Sequence, residues 1–250
     1  MKTKHLIVFL LIMALGSVSA SAQDATEIVN KANELMRGQS NESVMTMKII
    51  RPKWERTLQF KGWSKGTEYS LIYVLAPAKE KGQVFLKRGK EIWNWVPSIE
   101  RMIKIPPSMM MQSWMGSDLT NDDLVKESSI VEDYNHKIIG EEKIDGYDCY
   151  KIELIPKEDA AVVWGKIITW ISKEHYYTLK NEYYDEDGYL VNVETLSKIK
   201  KMGDRTLPTY YEIVPVDKKG HKTTMEFNDV KFNVPIKDSF FSIQNMKTVH

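Results

Sequence analysis

Along most of the chain, apolar and polar residues alternate one for one, the period of a strand with a single buried face. Met45, Met47 and Ile49 alternate with Thr46 and Lys48, and Leu58 and Phe60 with Thr57, Gln59 and Lys61. Tyr69, Leu71, Tyr73 and Leu75 run up to Pro77. Lys79-Glu80-Lys81-Gly82 then predicts a turn, and Lys87-Arg88-Gly89-Lys90 predicts another between Val84-Phe85-Leu86 and the Ile92 to Val96 run. In the second half, Asp145-Gly146 is a strong hairpin signal leading into Tyr150, Ile152 and Leu154. Further strands are predicted from Ile167 to Ile171, Tyr177 to Tyr184, Tyr189 to Leu196, Tyr210 to Val216, Lys222 to Phe227 and Val230 to Val234, with turns ending at Gly188 and Gly220. About ten or eleven strands joined by short polar turns imply a consecutively paired antiparallel sheet. A sheet that large curls. The expected fold is mostly β with some α: a strongly curved antiparallel sheet, an incomplete barrel.

Two stretches depart from this period. Ile28, Val29, Ala32, Leu35 and Met36 recur at helical spacing behind Asp24 and Glu27, and Gly38 follows them, which predicts an amphipathic helix resting on the sheet. Between Pro97 and Leu124 the pattern breaks: Pro106-Pro107 bars a central strand, while Met109, Met110, Met111, Trp114 and Met115 are too apolar for a solvated loop. Thr120 and Asp123 then mark the start of a short helix. The stretch reads as either a core plug or a greasy lid.

The start of the chain has the order of a secretory signal peptide. Lys2 and Lys4 precede an apolar run from Leu6 to Leu15, and Ala20-Ser21-Ala22 forms an A-x-A cleavage site before Gln23. Ten apolar residues span only ~15 Å of helix, about half a hydrocarbon core, so cleavage is expected rather than anchoring. Residues 1–22 are thus expected to be a leader and 23–250 a single domain outside the cytoplasm, not spanning a membrane. Losing Lys2 and Lys4 takes the formal net charge from +1 to −1. A near-neutral surface does not attract phosphates at long range, which argues against nucleic acid as a partner.

Candidate catalytic chemistry is sparse. Cys149 is the single cysteine, set in a strand-like Tyr147-Asp148-Cys149-Tyr150 pattern, and reads as a buried inert thiol. His136, His175 and His221 lie far apart, without the spacing of a metal site. The carboxylate pairs at Asp122-Asp123, Glu141-Glu142 and Asp185-Glu186-Asp187 sit where acids cap helices or solvate turns. The expectation is no enzyme, no metal and no cofactor.

The more informative inventory is apolar. Of thirteen methionines, Met102, Met109, Met110, Met111 and Met115 cluster in the odd segment, and methionine suits surfaces that accept varied apolar partners. Seven tryptophans, Trp93, Trp95 and Trp114 among them, suit the lining of a curved sheet as well as a core. The candidate lipid-binding residues are Met45, Met47, Leu58, Phe60, Trp93, Trp95, Met109, Met110, Met111, Trp114 and Met115.

A leader, an amphipathic helix and a long antiparallel meander together resemble the outer membrane lipoprotein-sorting, LolA-like periplasmic carriers. Three stretches carry the resemblance: Arg56 to Phe60 leading to Leu71 through Pro77; Gly89 to Pro97; and Met115-Gly116-Ser117-Asp118-Leu119-Thr120-Asn121-Asp122-Asp123-Leu124, the most specific. The resemblance implies a half-barrel whose apolar face is covered by helices, holding lipid or lipoprotein acyl chains. It also implies transport across the periplasm of a two-membrane bacterium, with an inner-membrane exporter and an outer-membrane acceptor as partners. An arginine latches the lid in the classical carriers, and Arg51, Arg56, Arg88 and Arg101 are the possible counterparts here. The alternative is a non-carrier module of an envelope or exporter complex, whose sheet binds a protein segment.

Overall fold

The computed structural model describes residues 24–126, 130–160 and 162–250, so the expected leader lies outside the described residues. A helix, α1 (Ala25–Arg37), leads into six strands: β1 (Ser40–Arg51), β2 (Trp54–Lys65), β3 (Tyr69–Ala76), β4 (Val84–Arg88), β5 (Glu91–Val96) and β6 (Arg101–Ile105). A connecting segment, 106–133, carries the short α2 (Asn121–Lys126). Seven more strands follow: β7 (Tyr134–Ile144), β8 (Tyr147–Pro156), β9 (Lys166–Ser172), β10 (Thr178–Tyr184), β11 (Leu190–Met202), β12 (Arg205–Pro215) and β13 (Lys222–Phe232).

All thirteen strands form one antiparallel sheet in the order β6-β5-β4-β3-β2-β1-β13-β12-β11-β10-β9-β8-β7. It consists of two meanders joined where β1 pairs with β13, and it ends at β6 and β7 without closing. The mostly β, curved open sheet is the fold expected from the alternation, with a larger strand count. β6 was hidden because it lies between Pro97 and Pro106-Pro107; as an edge strand it tolerates prolines that a central strand would not. β7 was missed because it too is an edge, and its Gly140-Glu141-Glu142-Lys143 run is polar on both faces. Its hairpin with β8 turns at Asp145 and Gly146, both with positive φ (48° and 88°), as the Asp-Gly signal required. Conversely, Lys222–Phe227 and Val230–Val234 merge into β13, whose pairing with β1 shifts register between Val44 and Met45.

Residues directly opposite in an antiparallel pair point to the same face. Phe85 lies opposite Ile72, and Ile72 opposite Gly62. Leu58 lies opposite Met47, Met47 opposite Met225, Met225 opposite Tyr211 and Tyr211 opposite Leu196. Two residues before Leu196, Glu194 faces Asn181, which faces Thr169. One inner face therefore runs across both meanders, and α1 and the connecting segment cover it.

α1 covers the second meander. Asp24 caps it by accepting from Thr26 N at 3.0 Å, and Glu27 pairs with Lys31 one turn on. At its other end Gly38 takes φ +63°, and Arg205 of β12 donates to the carbonyls of Glu34 (2.8 Å) and Leu35 (3.1 Å), where a cation also meets the negative helix terminus. Ile28, Val29 and Ala32 are buried against Ile152, Leu154, Ile167 and Ile171; each large side chain so buried contributes about 1.5–3 kcal/mol. On the outer face of the first meander, Trp63, Leu71, Tyr73, Val84 and Leu86 are buried under Phe241 and Met246 of the C-terminal residues.

Candidate functional site

The connecting segment links the two free edges of the sheet by crossing its inner face, and it is fastened there by two arginines. Arg51, at the end of β1, donates through Nη1 to Asp118 Oδ2 (2.9 Å) and through Nη2 to the Gly116 carbonyl (2.8 Å). Thr223 of β13 donates to the same Asp118 oxygen at 2.7 Å and accepts from Asp118 N at 2.9 Å. Arg56 of β2 donates to the Met115 carbonyl and pairs with Glu80 at 3.5 Å. Met115 and Gly116 both have positive φ, and their carbonyls are the ones the arginines take. Of the four arginines considered from sequence, Arg51 and Arg56 hold the segment, while Arg88 and Arg101 are exposed.

Between the arginines Trp114, 3 % exposed, is seated on Phe60 and Phe85 with ring centroids 5.1 Å and 5.3 Å away. Met47, Ile49, Leu58, Val74, Met115, Leu119 and Met225 complete this cluster. Behind it, Thr120 and Asp123 form a reciprocal capping box for α2: Asp123 N donates to Thr120 Oγ1 (3.1 Å) and Thr120 N to Asp123 Oδ2 (2.7 Å). Asp123 Oδ1 also accepts from Trp164 Nε1 at 2.8 Å. Burial pushes the Asp123 carboxyl above its usual pKa, against these hydrogen bonds.

Next to this seat of Trp114 lies a cavity of ≈ 170 Å³, roofed by α1 and by Asp118, Leu119, Asp122, Asp123 and Ile130. Val29, Ala32 and Met36 form its roof; Ile167, Ile171, Leu196, Ile213 and Met225 form its floor. Set into the floor is a polar group: Asn181 Nδ2 and Tyr183 Oη both donate to Glu194 Oε2 at 2.8 Å. Leu119 and Met225 belong to both the seat and the cavity and join them.

The candidates named from sequence distribute unevenly. Met47, Leu58, Phe60, Trp114 and Met115 come together in the seat, and Met45 lies opposite Phe60 beside them. Met109 and Met110 pack on Ile92 and Ile105, and Met111 is 67 % exposed. Trp93 and Trp95 are on the other face, packed with the cluster around Phe241 and Met246. The cavity wall itself, Asn181, Tyr183, Glu194 and Ile213 included, escaped sequence reasoning. Its signal was the polar residues Asn181, Asn192 and Glu194 falling in phase with apolar Tyr183 and Leu196 on predicted strands.

The remaining titratable groups are dispersed. His136, on β7, contacts Thr26 Oγ1 of α1 (3.2 Å) and the Ile130 carbonyl (2.8 Å), and burial lowers its pKa. His175 stacks on Tyr177 at 5.0 Å, and His221 precedes β13. Cys149 is fully buried, which pushes its thiol pKa up. No helix among the described residues is long and apolar enough to cross a membrane.

A family model described as "Uncharacterized protein"-like matches residues 66–248. No curated protein matches the sequence. Among solved structures, a DUF1329 family protein from Desulfovibrio piger is similar at TM-score 0.81 and 25 % identity, over 89 % of this chain and 97 % of that one. An outer membrane lipoprotein-sorting protein domain from Vibrio parahaemolyticus gives 0.79 and 22 %, over 89 % and 98 %. A LolA superfamily protein from Nitrosomonas europaea gives 0.78 and 24 %, over 90 % and 100 %. The chain therefore belongs to the family of the matching model, and its fold is that of the LolA superfamily.

Proposed function

We propose that the protein is a carrier that takes lipid, or the acyl chains of a lipoprotein, beneath α1 and the connecting segment and moves them through the periplasm toward the outer membrane. In this reading residues 1–22 are removed on export, 23–250 act as one carrier domain, and an exporter in the inner membrane and an acceptor in the outer membrane are its partners. Its work is binding and release, without catalysis. The observation that carries the reading is the apolar cavity lying under a roof that two arginines fasten. Acyl chains gain about 0.8 kcal/mol per CH₂ removed from water, so a shuttle must enclose them.

Size adds a constraint. A dry cavity near 150 Å³ accepts a benzene-sized ligand, so ≈ 170 Å³ holds only a short part of an acyl chain. A longer chain requires the roof to lift, which extends the cavity across the lid seat toward Met47, Leu58 and Phe60. Arg56 Nε, Glu80 Oε2 and Trp114 Nε1 are buried without a hydrogen-bond partner among the described residues. Each costs about 1–3 kcal/mol in the closed form, and lifting the segment exposes them to water. That supports a roof built to open.

The test is mass spectrometry of lipids extracted from protein purified from its native periplasm, with titration of a fluorescent acyl probe. Co-purifying acyl lipid and saturable probe binding are expected. Protein that carries no lipid and binds no probe overturns the reading in favour of a module that binds protein segments.

A further inference from the structure

The two ends of the sheet differ in what their turns expose. The strands alternate in direction, so the turns at 52–53, 77–83, 97–100, 185–189 and 216–221 all fall at one end. At or beside them Trp54, Ile99, Tyr189 and Val216 are exposed. Among the described residues, the turns of the opposite end, at 66–68, 89–90, 145–146, 173–177 and 203–204, expose no large apolar side chain. Charge divides the first end in two. Over the first meander and its joint with β13, Lys53, Lys79, Lys81, Lys218 and Lys219 are exposed, and none has an ion-pair partner among the described residues. Of the acids beside them, Glu55 is taken by Lys48 at 2.6 Å and Glu80 by Arg56 at 3.5 Å, which leaves Glu100 and Asp217. Beyond Val216 the sign reverses at Asp185, Glu186 and Asp187. The near-neutral net charge of the chain hides this separation. The basic half is also where the connecting segment is fastened: Trp54 lies opposite Arg51, whose guanidinium is 5.8 Å from the indole centroid. A Cβ on Gly220 would stand 3.2 Å from Pro52 Cγ, so the turns at 52–53 and 216–221 are in contact.

We infer that this basic half of the rim docks on an anionic bilayer surface, with Trp54, Ile99 and Val216 entering the headgroup region and the five lysines set against lipid phosphates. Successive turns stand two strands apart, about 10 Å. Single apolar side chains at that spacing lack the contiguous packed core of a protein interface, whereas a fluid surface takes in each one separately. Tryptophan suits the membrane–water boundary, and each lysine near an anionic surface adds an attraction that salt screens. The inference goes beyond the carrier reading by naming the surface on which cargo would change hands, and it turns the Arg51 fastening toward the bilayer.

The experiment is co-sedimentation of the purified protein with protein-free vesicles, of phosphatidylcholine alone or with a quarter phosphatidylglycerol, at low and high salt. Partition onto the anionic vesicles is expected to be about tenfold stronger than onto phosphatidylcholine, and to weaken with salt. Lys218→Glu with Lys219→Glu should lower it about tenfold or more, and Trp54→Ala with Ile99→Ser should lower it on both vesicle types. Lys90→Glu, on a turn of the opposite end, should change it by less than about twofold. A protein that leaves both vesicle types in solution overturns the docking site, and retention on native membranes alone overturns it in favour of a protein partner. An equal loss in Lys90→Glu and in the Lys218–Lys219 variant overturns the assignment to this end. Should Trp54→Ala fail to fold, Ile99→Ser and the lysine variants decide. A protein that docks but yields no acyl lipid and binds no acyl probe overturns the carrier reading and leaves the docking site standing.

Discussion

The two meanders are built alike and sealed differently. In the first, β1 to β6, the middle of the inner face is apolar, and Trp114 fills the space above Phe60 and Phe85. In the second, β7 to β13, a helix lies across the sheet and leaves a cavity with Asn181, Tyr183 and Glu194 in its floor. A side chain aimed down from a loop can fill a groove completely. A helix presents a cylinder, with small residues such as Ala32 facing inward, and leaves room beneath it. The first half thus acts as a seat and the second as a container, and substitutions should separate the two.

Trp114→Ala has the largest expected effect. It empties the tightest-packed part of the seat and should cost about 3–5 kcal/mol, read as a clear drop in the denaturant midpoint. A loss below about 1 kcal/mol would mean that the segment hardly rests on the sheet. Arg51→Ala follows closely, because it leaves Asp118 buried beside Thr223 without its cation; a loss of about 3 kcal/mol is expected, with faster hydrogen exchange along 114–119. In the container the same scale of change should be tolerated. Asn181→Leu, Tyr183→Phe and Glu194→Met together replace the three members of this hydrogen-bonded group by apolar groups of similar size, and the triple variant should stay within about 1 kcal/mol of the native protein. A collapse there would mean that the polar floor holds the fold together.

Smaller effects sharpen the boundary. Burial holds His136 below its usual 6.5, so the unfolded chain takes up the proton first as pH falls. Stability should therefore fall as pH drops through 6.5 and stop falling below the folded value, loosening the contact between β7 and α1. The slope should flatten in His136→Asn, and a melting series from about pH 7.5 to about pH 5.5 checks it. Met111→Glu should change stability by under about 0.5 kcal/mol, because Met111 is exposed.

Much of this architecture was legible from alternation and turn chemistry, because a one-residue slip would send every core side chain to solvent. Met47, Leu58 and Phe60 were readable as one apolar face, and Thr120 with Asp123 as a cap. The placement of Trp93 and Trp95 was not, since Leu86 with Trp93 and Val84 with Trp95 pair on the face that Phe241 covers. Nor was the choice of arginine: Arg51 meets Asp118 across 67 positions, and nothing local to Arg51 distinguishes it from Arg88. The cavity is the product of α1 docking on β9 and β12. No single strand pattern contains it.

The central claim is that the roof must lift before a long chain can enter. The side chains of Asp118 and Thr223 touch, with Oδ2 and Oγ1 2.7 Å apart, so Asp118→Cys with Thr223→Cys sets two thiols side by side, to be joined as a disulfide between segment and sheet. The native thiol, Cys149, is buried away from the exchange. The decisive measurement is binding of a long-chain fluorescent acyl probe to this variant, oxidised and then reduced. Both redox states lack the Arg51–Asp118 pair, so the comparison isolates the motion. Little binding is expected while the disulfide is closed, with recovery on reduction. Equal binding in the two states would show that chains enter without lifting the roof, and would contradict it.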